Sequence, residues 1–135
     1  MSDKTFYAQL LTPNGALFEG DVTIVDVPGS EGRFEILYNH SPIVSTLGIG
    51  RIEITTEENK TLRYAVSGGF LEGSDNRITI LAEEAVEAST IDLDEVKAAR
   101  EQAKKALQGT TTGREILEKQ LAEADNLIKT AETAS

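Results

Sequence analysis

The chain is 135 residues long and carries 13 basic against 23 acidic side chains, a net charge of −10, with no cysteine. One domain with an appendage fits that length; the acidic balance excludes the basic footprint of non-specific nucleic-acid binding, and the missing cysteines exclude a disulfide framework, a thiol nucleophile and a cysteine-built zinc site. The opening residues Met1–Thr5 lack the apolar core of a signal peptide, and no apolar run approaches the roughly 18 to 20 residues that span a bilayer, so the expectation is a soluble protein of a cytosol-like compartment.

Up to about residue 87 the apolar residues recur with a period of two, the signature of strands. After a turn at Pro13-Asn14-Gly15, the run Val22–Val27 puts Thr23, Val25 and Val27 on one face and Val22 and Ile24 on the other. Apolar residues on both faces imply packing between two sheets. The turn Pro28–Gly32 leads to a short strand, Phe34–Leu37, and a second turn follows at Asn39–Ile43. Further on, Ile52 and Ile54 alternate with Arg51 and Glu53, Leu62, Tyr64 and Val66 with Arg63 and Ala65, and Ile78 and Ile80 with Thr79 and Leu81. Turn signals at Glu57–Lys60 and Gly73–Asn76 separate these runs. Short β-branched strands at such spacing predict an antiparallel β-sandwich or barrel over residues 1–88.

From residue 89 alanine, leucine, lysine and glutamate dominate. Val96, Ala99, Ala103 and Leu107 share one face of a first helix, opened by a capping box of Asp92 and Glu95. Leu117, Leu121, Ala124 and Ile128 do the same in a second helix, for which Thr112 followed by Glu115 is the cap signature. The five residues Gly109–Gly113 between them predict an antiparallel helical hairpin over 89–135. The alanine-rich face of the first helix buries little area, so its docking energy is modest although its helix propensity is good. That combination suits an element that moves as a unit. Lys97, Arg100, Lys104 and Lys105 gather toward the end of the first helix, either as complements of the helix dipole or as a basic patch for an acidic partner.

Catalytic patterns are missing. His40 is the only imidazole, whereas serine-hydrolase chemistry needs a nucleophile, a base and an orienting acid, and zinc sites need several ligands. Gly48-Ile49-Gly50 lacks the third glycine and the following helix of a phosphate loop. Gly68-Gly69 inside a strand pattern marks a bulge or a close backbone approach. Asp92 and Asp94 open a helix, where negative charge complements the dipole. No catalytic residue, metal site or cofactor is expected. His40 then belongs to a loop end, since sandwich loops cluster at the ends of the sheets. There it either supplies a docking contact whose charge follows pH or bonds only within its own loop.

Four blocks carry a family resemblance: TPNGALFEG (12–20), VPGSEGRFEILYNHSPIVSTLGIGRI (27–52), YAVSGGFLE (64–72) and NRITILAEEA (76–85). In this order they resemble the epsilon subunit of bacterial and chloroplast F-type ATP synthases, the equivalent of the mitochondrial delta subunit. The helix over 91–107 is similar to the family's helical segment, and 108–135 is similar in character only. The resemblance implies a roughly ten-stranded sandwich and a helical hairpin in the central rotor of a proton-translocating synthase. It also implies three partners: the gamma subunit, the ring of c subunits, and the alpha/beta catalytic head, which the helices reach when they inhibit hydrolysis. The chain would be non-catalytic and peripheral on the cytoplasmic face of the bacterial inner membrane, without inserting into it.

The ring-facing loops implied are Ser30, Glu31, Gly32, Arg33, His40, Ser41 and Pro42. Two departures fall there: NHSP stands where G-H-A-P is usual, and Arg33 occupies a position often acidic or polar. Some members bind ATP through I/L-D-x-x-R-A at the first helix. Starting that motif at Leu93-Asp94 puts Lys97-Ala98 at its end, and starting it at Ile91-Asp92 puts Glu95-Val96 there, so neither register has the arginine. Asp92, Asp94, Lys97 and Arg100 are the candidates for such a site. The alternatives in other classes are a free-standing sandwich binding module with a self-associating helical tail, and an ATP-gated sensor.

Overall fold

The computed structural model describes residues 4–134. Seven strands precede the helices: β1 Phe6–Thr12, β2 Gly15–Gly29, β3 Gly32–Leu37, β4 Ile43–Thr56, β5 Thr61–Ser74, β6 Arg77–Ala82 and β7 Ala85–Glu87. A single 3₁₀ turn, Ala88–Thr90, leads to α1 (Leu93–Gln108) and α2 (Arg114–Ala134). Hydrogen bonding runs β1-β6-β5-β4-β2, and β2 pairs again with β1, so five strands close into a ring. β3 is added on β2 and β7 on β5. Closure leaves those five strands without an open edge.

The strand count differs from the expected ten because β2, β4 and β5 each run on unbroken for 14 or 15 residues. β2 pairs with β1 over its first half and with β3 and β4 over its second. β4 and β5 form one long hairpin whose lower part, around Gly69–Ser74, adds β6, while its upper part, Tyr64–Val66, adds β7. The halves of β2, β4 and β5 count as separate strands in a two-sheet description. Pairing is antiparallel throughout except β1 with β6, which is parallel.

Turn chemistry explains the hairpins. Asp75 and Asn76 both have positive φ, 53° and 57°, the type I′ geometry that matches strand twist. The β2–β3 turn is only Ser30–Glu31, since Pro28 and Gly29 still belong to β2. Gly69 lies at φ +148°, and a Cβ there would stand 2.5 Å from the Leu81 carbonyl oxygen. The Gly68-Gly69 pair therefore marks a close backbone approach.

The core holds Phe6, Leu10, Val22, Val25, Val27, Ile52, Ile54, Leu71, Ile78 and Ile80, each 2 % exposed or less. One expectation fails within β2: Val22 joins Val25 and Val27 inside rather than lying on the opposite face. The register against β4 slips there, Val22 facing Thr56 and Ile24 facing Thr55. Thr23 is the extra residue of a β-bulge, and one inserted residue reverses the phase of the alternation.

α1 begins as expected, with Asp92 Oδ1 accepting the Glu95 N–H at 3.2 Å. Its inner stripe is Leu93, Val96, Arg100, Ala103 and Leu107, each half-buried, while Ala99 is exposed. No residue of α1 is fully buried. α2 begins without the expected threonine cap. Gly113, at φ +68°, precedes it and its carbonyl accepts from Leu117 N–H at 3.2 Å. Thr112 is bonded to Thr110 instead. The Arg114 guanidinium turns back to donate to the Leu107 and Thr110 carbonyls at 2.8 and 3.2 Å, closing the link between the helices.

Candidate functional site

The turn Ser30–Glu31 is held against β4 by two bonds: Ser30 N–H donates to the Thr46 carbonyl at 3.0 Å, and the two hydroxyls lie 2.7 Å apart. An open cleft of about 580 Å³ follows, lined by Gly29–Phe34 on one side and Ile43–Thr46 on the other. Ser30, Glu31, Gly32 and Arg33 are therefore brought together in one concavity. Arg33 folds back along the sheet, donating to Asp26 at 3.1 Å and to the Arg51 carbonyl at 2.6 Å.

His40 is placed differently. Its Nδ1 lies 3.2 Å from the Leu37 carbonyl, and its ring meets Phe6 edge-on at 5.4 Å and 67°. Nε2 is buried without a hydrogen-bond partner. Asn39, at φ 63°, donates its N–H to the Asn76 side chain at 2.7 Å, so this loop is anchored to the β5–β6 turn. Ser41 and Pro42 remain exposed between the two anchors. Pro42 leads directly into Ile43, the first of the cleft-lining residues of β4, so the loop adjoins the cleft.

Beside this end the outer sheet face carries apolar side chains that the alternation hinted at only through Leu81. Phe70 and Leu81 stand directly opposite each other on β5 and β6 and are 39 % and 51 % exposed. Leu11 of β1 follows Leu81 in register, and Val44, 66 % exposed, stands two residues from Thr46, the partner of Phe70. An apolar row exposed at Val44, Phe70 and Leu81 and rimmed by Glu72 and Thr79 has the composition of a protein-binding face.

On the outer surface near the helices Glu53 lies between two arginines, accepting from Arg51 Nε at 2.8 Å and Arg63 Nε at 3.0 Å. Burial raises the Glu53 pKa, but the hydrogen bonds and charges of Arg63 and Arg51 outweigh it and hold the carboxyl below its ordinary 4.5. Next to this network α2 lies on β4 and β5. The Asn126 side-chain amide donates to two main-chain carbonyls on adjacent strands, Gly50 at 2.8 Å and Val66 at 3.3 Å. Ser67 hydrogen-bonds to Glu123. Arg100 of α1 is tied to Asp125 of α2, and this bond holds the guanidinium strongly charged.

A family model described as the beta-sandwich domain of the ATP synthase Delta/Epsilon chain matches residues 5–88. The ATP synthase epsilon chain of Pelotomaculum thermopropionicum is 40 % identical over 111 residues, which cover 82 % of this chain and 82 % of that one. The chain belongs to the delta/epsilon family of ATP synthase chains. The epsilon chain of Desulfitobacterium hafniense is 41 % identical over 103 residues, 76 % of this chain and 77 % of that one. Among solved structures, a chain of the Euglena gracilis mitochondrial ATP synthase, imaged as its OSCP/F1/c-ring part, superposes with a TM-score of 0.83 at 26 % identity, covering 96 % and 81 % of the two chains. A chain from the central stalk and c-ring of the Tetrahymena thermophila mitochondrial ATP synthase shares the fold, with a TM-score of 0.60 at 16 % identity over 93 % and 95 % of the two chains.

Delta/epsilon chains are non-catalytic parts of the synthase. Of the four positions raised for nucleotide binding, Lys97 and Arg100 line a common groove and Asp92 and Asp94 are not among its lining residues. Asp92 is the cap of α1 and Asp94 is exposed on its first turn. Lys97 and Arg100 line a groove between the helices together with Glu101, Asp125, Ile128, Lys129 and Glu132. No helix among the described residues is long and apolar enough to cross a membrane.

Proposed function

We propose that this chain is a rotor subunit of a bacterial F-type ATP synthase in which residues 1–88 dock and residues 89–135 regulate. The loop end, with Ser30, Glu31, Gly32, Arg33, His40, Ser41 and Pro42, seats on the ring of c subunits. The outer face around Val44, Phe70 and Leu81 binds the gamma subunit. Together they carry the rotation of the ring to the catalytic head, and the hairpin inhibits hydrolysis when it leaves the sandwich for the alpha/beta subunits. The chain sits peripherally on the cytoplasmic face of the membrane through the ring and needs no cofactor for this work.

The observation that carries this reading is the exposed Phe70–Leu81 pair, in a chain alike over nearly its whole length to one imaged with F1 and a c-ring. Large apolar side chains held on a rigid sheet lose little entropy on docking and act as anchors of an interface. The test is the affinity of the purified full chain for its gamma subunit by titration calorimetry. Phe70→Asp and Leu81→Asp should each weaken binding by about tenfold or more, with the melting temperature unchanged. Undiminished affinity in both variants would overturn the assignment of this face, and no complex with the unaltered chain would return the protein to a free-standing binding module.

A further inference from the structure

We infer that Asn126 and Thr130, one helical turn apart on the sandwich-facing side of α2, set how readily the hairpin leaves the sandwich, Asn126 as its latch and Thr130 as a standing cost of closure. The inference rests on the reading above that the hairpin moves.

Helical spacing divides α2 into two stripes. Asp125 and Ile128 line the groove shared with α1. Glu123, Asn126 and Leu127 line the narrow seam against Ala65, Val66 and Ser67 of the sandwich, and Thr130, fully buried, continues that stripe. The polar fastening of this seam is concentrated. Asn126 uses its one amide nitrogen to join the carbonyls of Gly50 and Val66, residues paired across β4 and β5. Those carbonyls belong to the rigid closed sheet, so the latch has a fixed receiver. Ser67 and Glu123 make the neighbouring contact one turn away.

Thr130 acts in the opposite direction. Its hydroxyl is buried with no hydrogen-bond partner, although the threonine three residues on does bond back to the Lys129 carbonyl at 2.7 Å. A buried hydroxyl without a partner regains water when the helix lifts, so closure carries a desolvation cost that opening refunds. None of the residues lining the seam belongs to α1, and none of the residues of α1 is fully buried. It is fastened to α2 by Arg100 and Asp125, so both helices should leave together. The docked state is thus held by few bonds and opposed by one built-in penalty, which places the equilibrium within reach of a partner's binding energy.

Hydrogen exchange of the full chain, followed by mass spectrometry, tests this directly. Thr130→Val keeps the shape and removes the hydroxyl, and it should slow exchange of α1 and α2 amides by about tenfold. Asn126→Leu removes the latch and should speed both helices by about tenfold, with the amides of Ile52–Ile54 unchanged in either variant. Asn126→Asp, which offers an acceptor to two acceptors, serves the same purpose should the leucine variant not fold. Unchanged hairpin exchange in these variants, or equal changes in sandwich and hairpin, would overturn the inference. ATP hydrolysis by the assembled enzyme separates it from the reading beneath. If exchange shifts and hydrolysis does not, the latch stands and hydrolytic control by the hairpin falls; if removal of 89–135 raises hydrolysis but exchange is blind to both positions, the latch falls.

Discussion

The sandwich and the hairpin are both built largely from regular structure but are held by different means. In the sandwich, five strands close on themselves around side chains such as Leu10, Ile54 and Leu71, which are wholly excluded from water. In the hairpin, α1 buries no residue fully, and α2 is fastened by the buried Ala124 and Ala131 and a few polar contacts. One region therefore has a single cooperative core, and the other has a local preference for helix with a shallow seat. A docking platform needs the first property and a movable regulator the second.

The largest expected effect breaks the platform. Leu71→Ala empties a fully buried position and should cost about 2–5 kcal/mol of global stability in denaturant unfolding. Leu107→Ala, at a half-buried position of α1, should cost less than about 1 kcal/mol and leave the sandwich transition in place. Comparable losses would erase the distinction between the two regions. A smaller effect sharpens it. Glu53→Gln should cost about 1 kcal/mol at neutral pH, because the carboxylate shared by Arg51 and Arg63 is partly buried. The folded pKa of Glu53 lies below its unfolded value, so its stabilisation is complete above about pH 4.5 and is lost as pH falls through the lowered folded value. The glutamine variant should lack that portion of the acid dependence in thermal melts taken across pH 3 to 7.

Much of this contrast could be read in the residues themselves. Period-two alternation placed Ile52, Ile54, Ile78 and Ile80 inside, and helical spacing found Leu117, Leu121, Ala124 and Ile128 of α2 but not its sandwich-facing stripe of Asn126 and Thr130. Where the reading failed, a local event had broken the period. The bulge at Thr23 inserts one residue, which no hydrophobicity pattern records, and so Val22 moved to the core. In α1, Arg100 displaces Ala99 from the inner face because its long side chain reaches Asp125. Thr112 offered a cap, but Gly113 and the Arg114 guanidinium supply the helix junction instead.

The interface features were less legible for a related reason. Leu81 on the outward side of its strand was the one visible sign of the apolar row, since Phe70 and Val44 join it only through cross-strand register. Asn126 gives no sequence signal at all, because a side-chain amide seeking main-chain carbonyls has no fixed spacing to its receivers. His40 stands between these cases. The loop containing it was evident, whereas its packing on Phe6 follows from the meeting of β1 with the β5–β6 turn.

The division of labour between platform and regulator is tested most directly by ending the chain after Ala88 and measuring both incorporation into the ATP synthase and its rate of ATP hydrolysis. The account predicts that the shortened chain still assembles with gamma and the c-ring and that hydrolysis rises. Loss of assembly, or an unchanged hydrolysis rate in an intact complex, would contradict it.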